Sequence, residues 1–203
     1  MGRYTGPKAR VNRRLATQVY EAAGTRRAHQ RREQPPGMHT RVPRTSEFGT
    51  ALQEKQKLKH YYGVGERQLR RYFELASKKA GNTGESLLIF CECRLDNVVR
   101  RAGYTRTRPQ ARQGIVHGHF QVNGIKVTSP SYLLRPGDVI TVRPRENLLT
   151  YYRDLGAQES GQPLDWVSFD GETLRATMLG VPGPSDISCP VGQVNLVTEF
   201  LSR

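Results

Sequence analysis

Between residues 50 and 62 the apolar side chains Leu52, Leu58 and Tyr62 recur on one side of a helical repeat, with Lys55, Lys57 and Lys59 on the other. The spacing predicts a helix opened by Thr45-Ser46-Glu47 and broken by Gly63-Val64-Gly65. A second helix follows over 66–79, with Leu69, Tyr72, Phe73 and Ala76 inward and Arg67, Arg70 and Arg71 outward. Glu66 stands four residues before Arg70, the spacing of a helical ion pair. Gly81-Asn82-Thr83-Gly84 ends that helix and an apolar segment, 85–93, begins. Residues 46–93 read as a small helical domain with one basic face.

A different pattern occupies 94–142. Leu95, Val98, Val99 and Ala102 recur at three to four residues, and Gly103 suits a helix end. Thr107, Pro109 and Gln110 then supply an N-cap, a first-turn proline and the third residue of a capping box. This helix runs to about His117 and stops at Gly118. Its first turn is expected to expose Arg106, Arg108 and Arg112 beside free backbone N–H groups, a combination suited to phosphate. Asn123-Gly124 between alternating residues predicts a type I′ hairpin, and Pro136-Gly137-Asp138 turns into a strand over 139–142. Beyond Glu146 the pattern weakens. Residues 166–169 and 173–176 suit a small hairpin around Asp170-Gly171, and 181–192 reads as a loop. Residues 194–201 fit either a last strand or a short docking helix. The elements imply an α+β protein with a small antiparallel sheet.

Residues 1–45 read as a basic arm, with paired arginines at 13–14, 26–27 and 31–32 and helical pieces around 13–23 and 28–33. Three prolines within 34–44 preclude a continuous helix there. The formal charge of +14 is uneven: +9 over residues 1–45, +8 over 46–160 and −3 over 161–203. Such an imbalance favours a polyanionic partner, and the preponderance of Arg over Lys favours forked contact with phosphate. No apolar run approaches membrane-spanning length, the first ten residues lack a signal-peptide core, and Met-Gly lacks the downstream Ser or Thr of a myristoylation site. Cys91, Cys93 and Cys189 form an odd set without secreted spacing, which points to a reduced, cytoplasmic setting.

At these residues the chain resembles a known family. Residues 94–142 are similar to the S-four RNA-binding domain, named after ribosomal protein S-four of the small subunit. Arg3-Tyr4, Gly6-Pro7-Lys8, Glu54-Lys55-Gln56-Lys57-Leu58, Glu66-Arg67-Gln68 and Gly81-Asn82-Thr83-Gly84-Glu85 resemble the bacterial or organellar form of that protein, in the same order. The ending VNLVTEFLSR is also similar, whereas 147–190 match poorly. The resemblance implies an S-four module, 94–157, inserted between the helical domain and a terminal piece, about 191–203, that packs back on it. It leaves 158–190 as an extension of uncertain structure. It further implies a non-enzymatic primary binder of small-subunit ribosomal RNA at a multi-helix junction of the 5′ domain. Assembly of the subunit body, contact with ribosomal protein S-five and an influence on decoding accuracy follow from the same likeness. Arg41 and Arg44 match positions near where messenger RNA enters. Some members carry a four-cysteine zinc knuckle in the arm; residues 1–45 contain no Cys, so no metal or other cofactor is expected.

The expected phosphate contacts are Arg3, Lys8, Arg13 and Arg14 in the arm and Lys55, Lys57, Lys59, Arg67, Arg70 and Arg71 in the helical domain. In the module they are Arg94, Arg101, Arg106, Arg108, Arg112 and Lys126, with Asn97, His117 and Asn123 as hydrogen-bonding partners. Tyr4, Tyr61 and Tyr62 are candidates for stacking. Replacing Arg106, Arg108 and Arg112 together is expected to weaken binding with little loss of stability. The rival readings are an RNA-modifying enzyme and a free-standing S-four-type RNA-binding factor. Arg94-Leu95-Asp96 is similar to a pseudouridine synthase motif, but no large catalytic domain follows, so Asp96 reads as a first-turn helix acid or an RNA-facing acceptor. Tyrosyl-tRNA synthetases would need a nucleotide-binding domain that the chain lacks. Cys91 and Cys93, with His117, His119 and Cys189, lack the spacing of common zinc ligands, and the cysteines read as buried or half-buried thiols.

Overall fold

The computed structural model describes residues 4–32, 34–38, 44–158 and 164–202. The chain divides into two compact units, residues 1–87 with 188–203, and residues 88–187. The architecture is α+β, as the periodicities predict.

In the first unit, α1 (Lys8–Arg14) and α2 (Ala23–Arg31) each start five residues before the helical pieces expected around 13–23 and 28–33, overlapping them at 13–14 and 28–31. Asn12 explains the shift. Its fully buried amide accepts the N–H groups of Val19 and Tyr20 at 3.2 and 3.0 Å and donates to the Tyr20 carbonyl at 3.1 Å. Those bonds stabilise a non-helical connection between the two helices, over a small core of Val11, Leu15 and Val19.

Helix α3 (Glu47–Tyr62) starts where Ser46 Oγ accepts the Gly49 N–H at 3.2 Å, and it ends at Gly63, whose φ of +61° suits a residue without Cβ. Helices α4 (Glu66–Ser77) and α5 (Thr83–Glu92) follow. The end of the chain is a helix, Val194–Ser202, packed on α3 and α4. Its Phe200 ring lies 5.3 Å from that of Phe48, with the Lys55 ammonium 4.3 Å over its face.

The second unit takes over within α5, at residue 88, and continues with α6 (Leu95–Arg101) and α7 (Arg108–Val116). Strands β1 (Phe120–Val122), β2 (Ile125–Lys126) and β3 (Val139–Val142) follow, then α8 (Glu146–Gln158), β4 (Val167–Asp170) and β5 (Arg175–Met178). The five strands form one antiparallel sheet in the order β2-β1-β3-β5-β4. Asn123 and Gly124 have φ of +51° and +80°, the two left-handed residues of the expected type I′ turn. Residues past 146 supply two of the five strands: β5 pairs with β3, setting Ala176 opposite Ile140. Helix α8 carries Leu148, Leu149, Tyr152 and Leu155 at helical spacing, and Tyr152 reaches the core with its ring 5.0 Å from Phe120. Tyr104 is fully buried, its hydroxyl 2.9 Å from the Leu174 carbonyl and 3.1 Å from that of Ile140.

Candidate nucleic-acid interface

The joint between α3 and α4 reverses part of the expected surface. Lys55 is only 6% exposed; its Nζ donates to Glu66 Oε1 at 2.7 Å, and Lys59 Nζ donates to Glu66 Oε2 at 3.1 Å. Lys57 is half-buried and bonds the buried Glu54 at 2.6 Å, and the other Glu54 oxygen accepts the Gly192 N–H at 3.0 Å. Burial works to raise the Glu66 pKa, but the hydrogen bonds and charges of Lys55 and Lys59 outweigh it and hold the carboxyl below its ordinary value. These lysines therefore do not face outward as expected, because the acids of the unit hold them. Glu66, committed to Lys55 and Lys59, makes no salt bridge with Arg70.

The consequence falls on α4. Arg67, Arg70 and Arg71 share one face and are exposed, with no hydrogen-bond or ion-pair partner among the described residues. Tyr61 and Tyr62 lie 5% and 2% exposed, so the expectation that they stack on bases is corrected: rings of that size are core in so small a unit. Arg13 is held by the carbonyls of Gln34 and Pro35 at 2.7 and 3.2 Å, and Lys8 Nζ lies 5.7 Å over the Tyr20 ring. Tyr4, Arg14 and Arg44 are exposed. Arg3 and Arg41 lie outside the described residues.

In the second unit a buried polar network occupies the N-terminal ends of α6 and α7. Arg94, 1% exposed, forks onto Asp96, and Arg112 Nη1 reaches the same carboxylate at 3.3 Å. Asn97, also 1% exposed, donates to the carbonyl and carboxylate of the buried Glu92, and its own Oδ1 accepts from Arg108 Nε at 2.8 Å. Arg94 and Asn97 are thus interior residues rather than surface contacts, and Arg108 and Arg112 are half-buried. The physical reason is that Glu92 and Asp96 are buried carboxylates, which need donors and countercharge within reach. Asp96 is the first-turn acid of α6, as expected, but it faces inward.

Arg106 alone of the α7 trio is fully on the surface. The cap is as the sequence predicts, Thr107 Oγ1 accepting from the Gln110 N–H, but Gln110 Oε1 reaches one residue farther back, to the Arg106 N–H at 3.2 Å. Arg101 is half-buried and donates to the Asp186 carbonyl at 2.9 Å.

A second basic cluster lies at the other end of α7. His117 and Lys126 are exposed, and Arg143 Nη1 approaches the Gly118 carbonyl at 3.4 Å. Burial lowers the His119 pKa, helped by the nearby charges of His117, Arg143 and Arg145. Sequence reasoning missed Arg143 and Arg145; the available signal was their alternate spacing just past β3. Asn123 was expected to serve a partner, but its amide ties the hairpin to Asp138 at 2.8 Å and to the Val139 N–H at 2.9 Å.

Nothing here is arranged for bond chemistry at sulfur: Cys91 and Cys93 are buried, and burial pushes the Cys91 thiol up to about 12 against the opposing charge of Arg94. Among the described residues, no three His, Cys, Asp or Glu side chains gather into a metal-holding group.

A helical unit whose arginine face is unpaired among the described residues, and an αα-plus-sheet module with basic helix ends, fit the class that the sequence resembles, ribosomal proteins with an S4 domain. Comparison with known families agrees: residues 3–92 match the family described as "Ribosomal protein S4/S9 N-terminal domain", and residues 93–140 match "S4 domain". The chain is 68% identical to small ribosomal subunit protein uS4 of Rhodopirellula baltica over 203 residues, the full length of both. It is 44% identical over the full length of both to uS4 of Persephonella marina, and equally to uS4A of Symbiobacterium thermophilum. The chain belongs to the small ribosomal subunit protein uS4 family, and its role is structural rather than enzymatic.

Proposed function

We propose that this protein is a primary binder of small-subunit ribosomal RNA, working in the cytoplasm as part of the small ribosomal subunit. It holds a multi-helix junction of the 5′ domain and nucleates assembly of the subunit body. It contacts ribosomal protein S-five and influences decoding accuracy, with Arg41 and the exposed Arg44 near where messenger RNA enters.

The observation that carries this reading is the face of Arg67, Arg70 and Arg71. The unit spends its nearby acid, Glu66, on Lys55 and Lys59 and leaves three guanidiniums on one helix face unpaired among the described residues. Like charges side by side on a helix cost stability, a cost offset when phosphates arrive. In unit two, Arg106 and the cluster of His117, Lys126, Arg143 and Arg145 offer further cationic contacts. No base-specific readout is required, because A-form RNA presents phosphates, 2′-hydroxyls and junction shape.

The test is equilibrium binding of the full chain to its own small-subunit RNA across a salt series, with footprinting. With about ten phosphates neutralised, affinity should fall by about three to five powers of ten between 50 and 200 mM salt. Protection should centre on a helix junction of the 5′ domain. Affinity that barely responds to salt would overturn the proposal.

A further inference from the structure

A cleft of about 120 Å³ opens in the first unit between α1 and α3. At about 30 Å³ of liquid volume per water it has room for roughly four waters, enough for a planar ring seated in its mouth rather than enclosed. Its floor is apolar, made by the buried Val11 and Leu15, which stand four residues apart. Arg10 and Arg14, also four apart, line it beside that floor; both are exposed and without a hydrogen-bond or ion-pair partner among the described residues. Across from them α3 supplies Gln56 and His60, again four apart. Tyr4 completes the lining, its ring 5.2 Å from that of His60 and edge to face with it.

We infer that this cleft receives a single unstacked nucleobase of the bound RNA, with the phosphates flanking that nucleotide on Arg10 and Arg14. The inference rests on the RNA-binding reading and assigns it a pocket. Each wall has a part in it. An apolar floor and a ring at the mouth favour a flat, weakly hydrated ligand, and every base has a π-face on which an aromatic ring can stack. The Gln56 amide carries both donors and an acceptor, which suits the edge of a base. Two guanidiniums unpaired among the described residues suit a phosphodiester on either side.

His60 is prepared for an uncharged part. Burial lowers its pKa, with Lys59 and Arg14 adding to the effect, and its Nδ1 is 3.2 Å from the Tyr20 hydroxyl. A neutral imidazole can stand beside a base without adding to the charge of Arg14. A bare phosphate would need neither the apolar floor nor the ring, and a helical duplex would not enter a space this small.

The experiment uses the full chain and its own small-subunit RNA, comparing Tyr4→Ala, Gln56→Ala and the double variant Arg10→Ala/Arg14→Ala with the unmodified protein. Affinity is read across a salt series, and base reactivity is read by chemical modification. Tyr4→Ala is expected to lose about tenfold in affinity at every salt concentration with the slope unchanged, since it removes stacking and no charge. The arginine variant is expected to flatten the slope by about two phosphates. One base, protected by the unmodified protein, should regain reactivity in both Tyr4→Ala and Gln56→Ala. If both of those variants bind and protect like the unmodified protein, the inference fails while the RNA-binding reading stands. A flattened slope in the arginine variant with no base deprotected in either of the others also overturns it, leaving a phosphate site only. Failure of the unmodified protein to bind the RNA would sink both readings.

Discussion

Asp96 holds two guanidiniums, Arg94 forked onto it and Arg112 at 3.3 Å, with the carboxylate almost wholly out of water. Removing one member of a buried ion pair leaves the other charge buried and uncompensated, at a cost of about 3–5 kcal/mol. Asp96→Ala should therefore destabilise the second unit by about that amount in chemical denaturation. Arg106→Ala, on the surface, should leave stability within about 0.5 kcal/mol and weaken RNA binding. An Asp96→Ala protein as stable as the unmodified one would refute the role given to the network. The expectation that Arg106, Arg108 and Arg112 can be replaced together at little cost does not survive this geometry, since two of the three are donors to buried acceptors. Sequence shows that a residue carries charge; it does not show where its partner is. Arg67, Arg70 and Arg71 are exposed as their helical spacing indicates. Lys55 is buried because Glu66 and the ring of Phe200, both on other helices, come to it.

At the scale of elements, two joints carry testable energetics. The first is between α3 and α4. The Glu66 carboxyl has a folded-state pKa below its ordinary value of 4.5. A depressed folded pKa adds stability above the ordinary value, and that stability is lost as pH falls through the lowered one. Glu66 is partly exposed, so solvent screening keeps the contribution to about 0.2–1 kcal/mol. Thermal melting from neutral pH to below 4.5 should show the Glu66→Gln variant less stable at neutral pH, with the difference shrinking in acid. Curves that stay parallel throughout would contradict it.

The second joint is between α7 and α8. Gly114 lies on the buried face of α7, where an added Cβ would fall 2.5 Å from the Tyr152 hydroxyl and 3.1 Å from the Phe120 ring. Helix propensity alone favours Gly114→Ala, by about 1 kcal/mol. Overpacking of a core this tight costs about 1–3 kcal/mol, so the net change should be a loss, read as a lowered melting temperature. A gain would mean that α8 sits more loosely than the distances imply. The elements themselves were legible in proportion to their local signals. The caps at Ser46 and Thr107 and the Asn123-Gly124 turn mark their elements unmistakably. The α8 pattern of Leu148, Leu149, Tyr152 and Leu155 was present but unread, since no cap as strong precedes it.

For the whole molecule, the formal charge of +14 separates into two kinds of cation. One kind is internal: Lys55, Lys57, Lys59, Arg94 and much of Arg108 and Arg112 neutralise acids or satisfy buried acceptors. The other is external and includes Arg10, Arg14, Arg67, Arg70, Arg71, Arg106 and Lys126. Only the external kind answers to salt in RNA binding, so the salt slope measures fewer contacts than a count of Lys and Arg would indicate. Each unit carries external cations of its own, the helical one on α4 and beside the cleft by α1, the sheet-containing one at the two ends of α7.

The sequence by itself determined the α+β class, the main helices, the hairpin, the basic character and, through co-linear motifs, the family. Those properties rest on local periodicity, turn chemistry and residue order, which need no knowledge of distant neighbours. Tertiary structure alone decided that residues past 146 extend the sheet, that Val194–Ser202 is a helix rather than a strand, and which cations lie inside and which on the surface. Each of these depends on a partner remote in sequence: β3 for β5, the Phe48 ring for Phe200, Glu66 for Lys55. Charge is written in the chain one residue at a time, but whether it is spent inside or offered outside is a property of pairs.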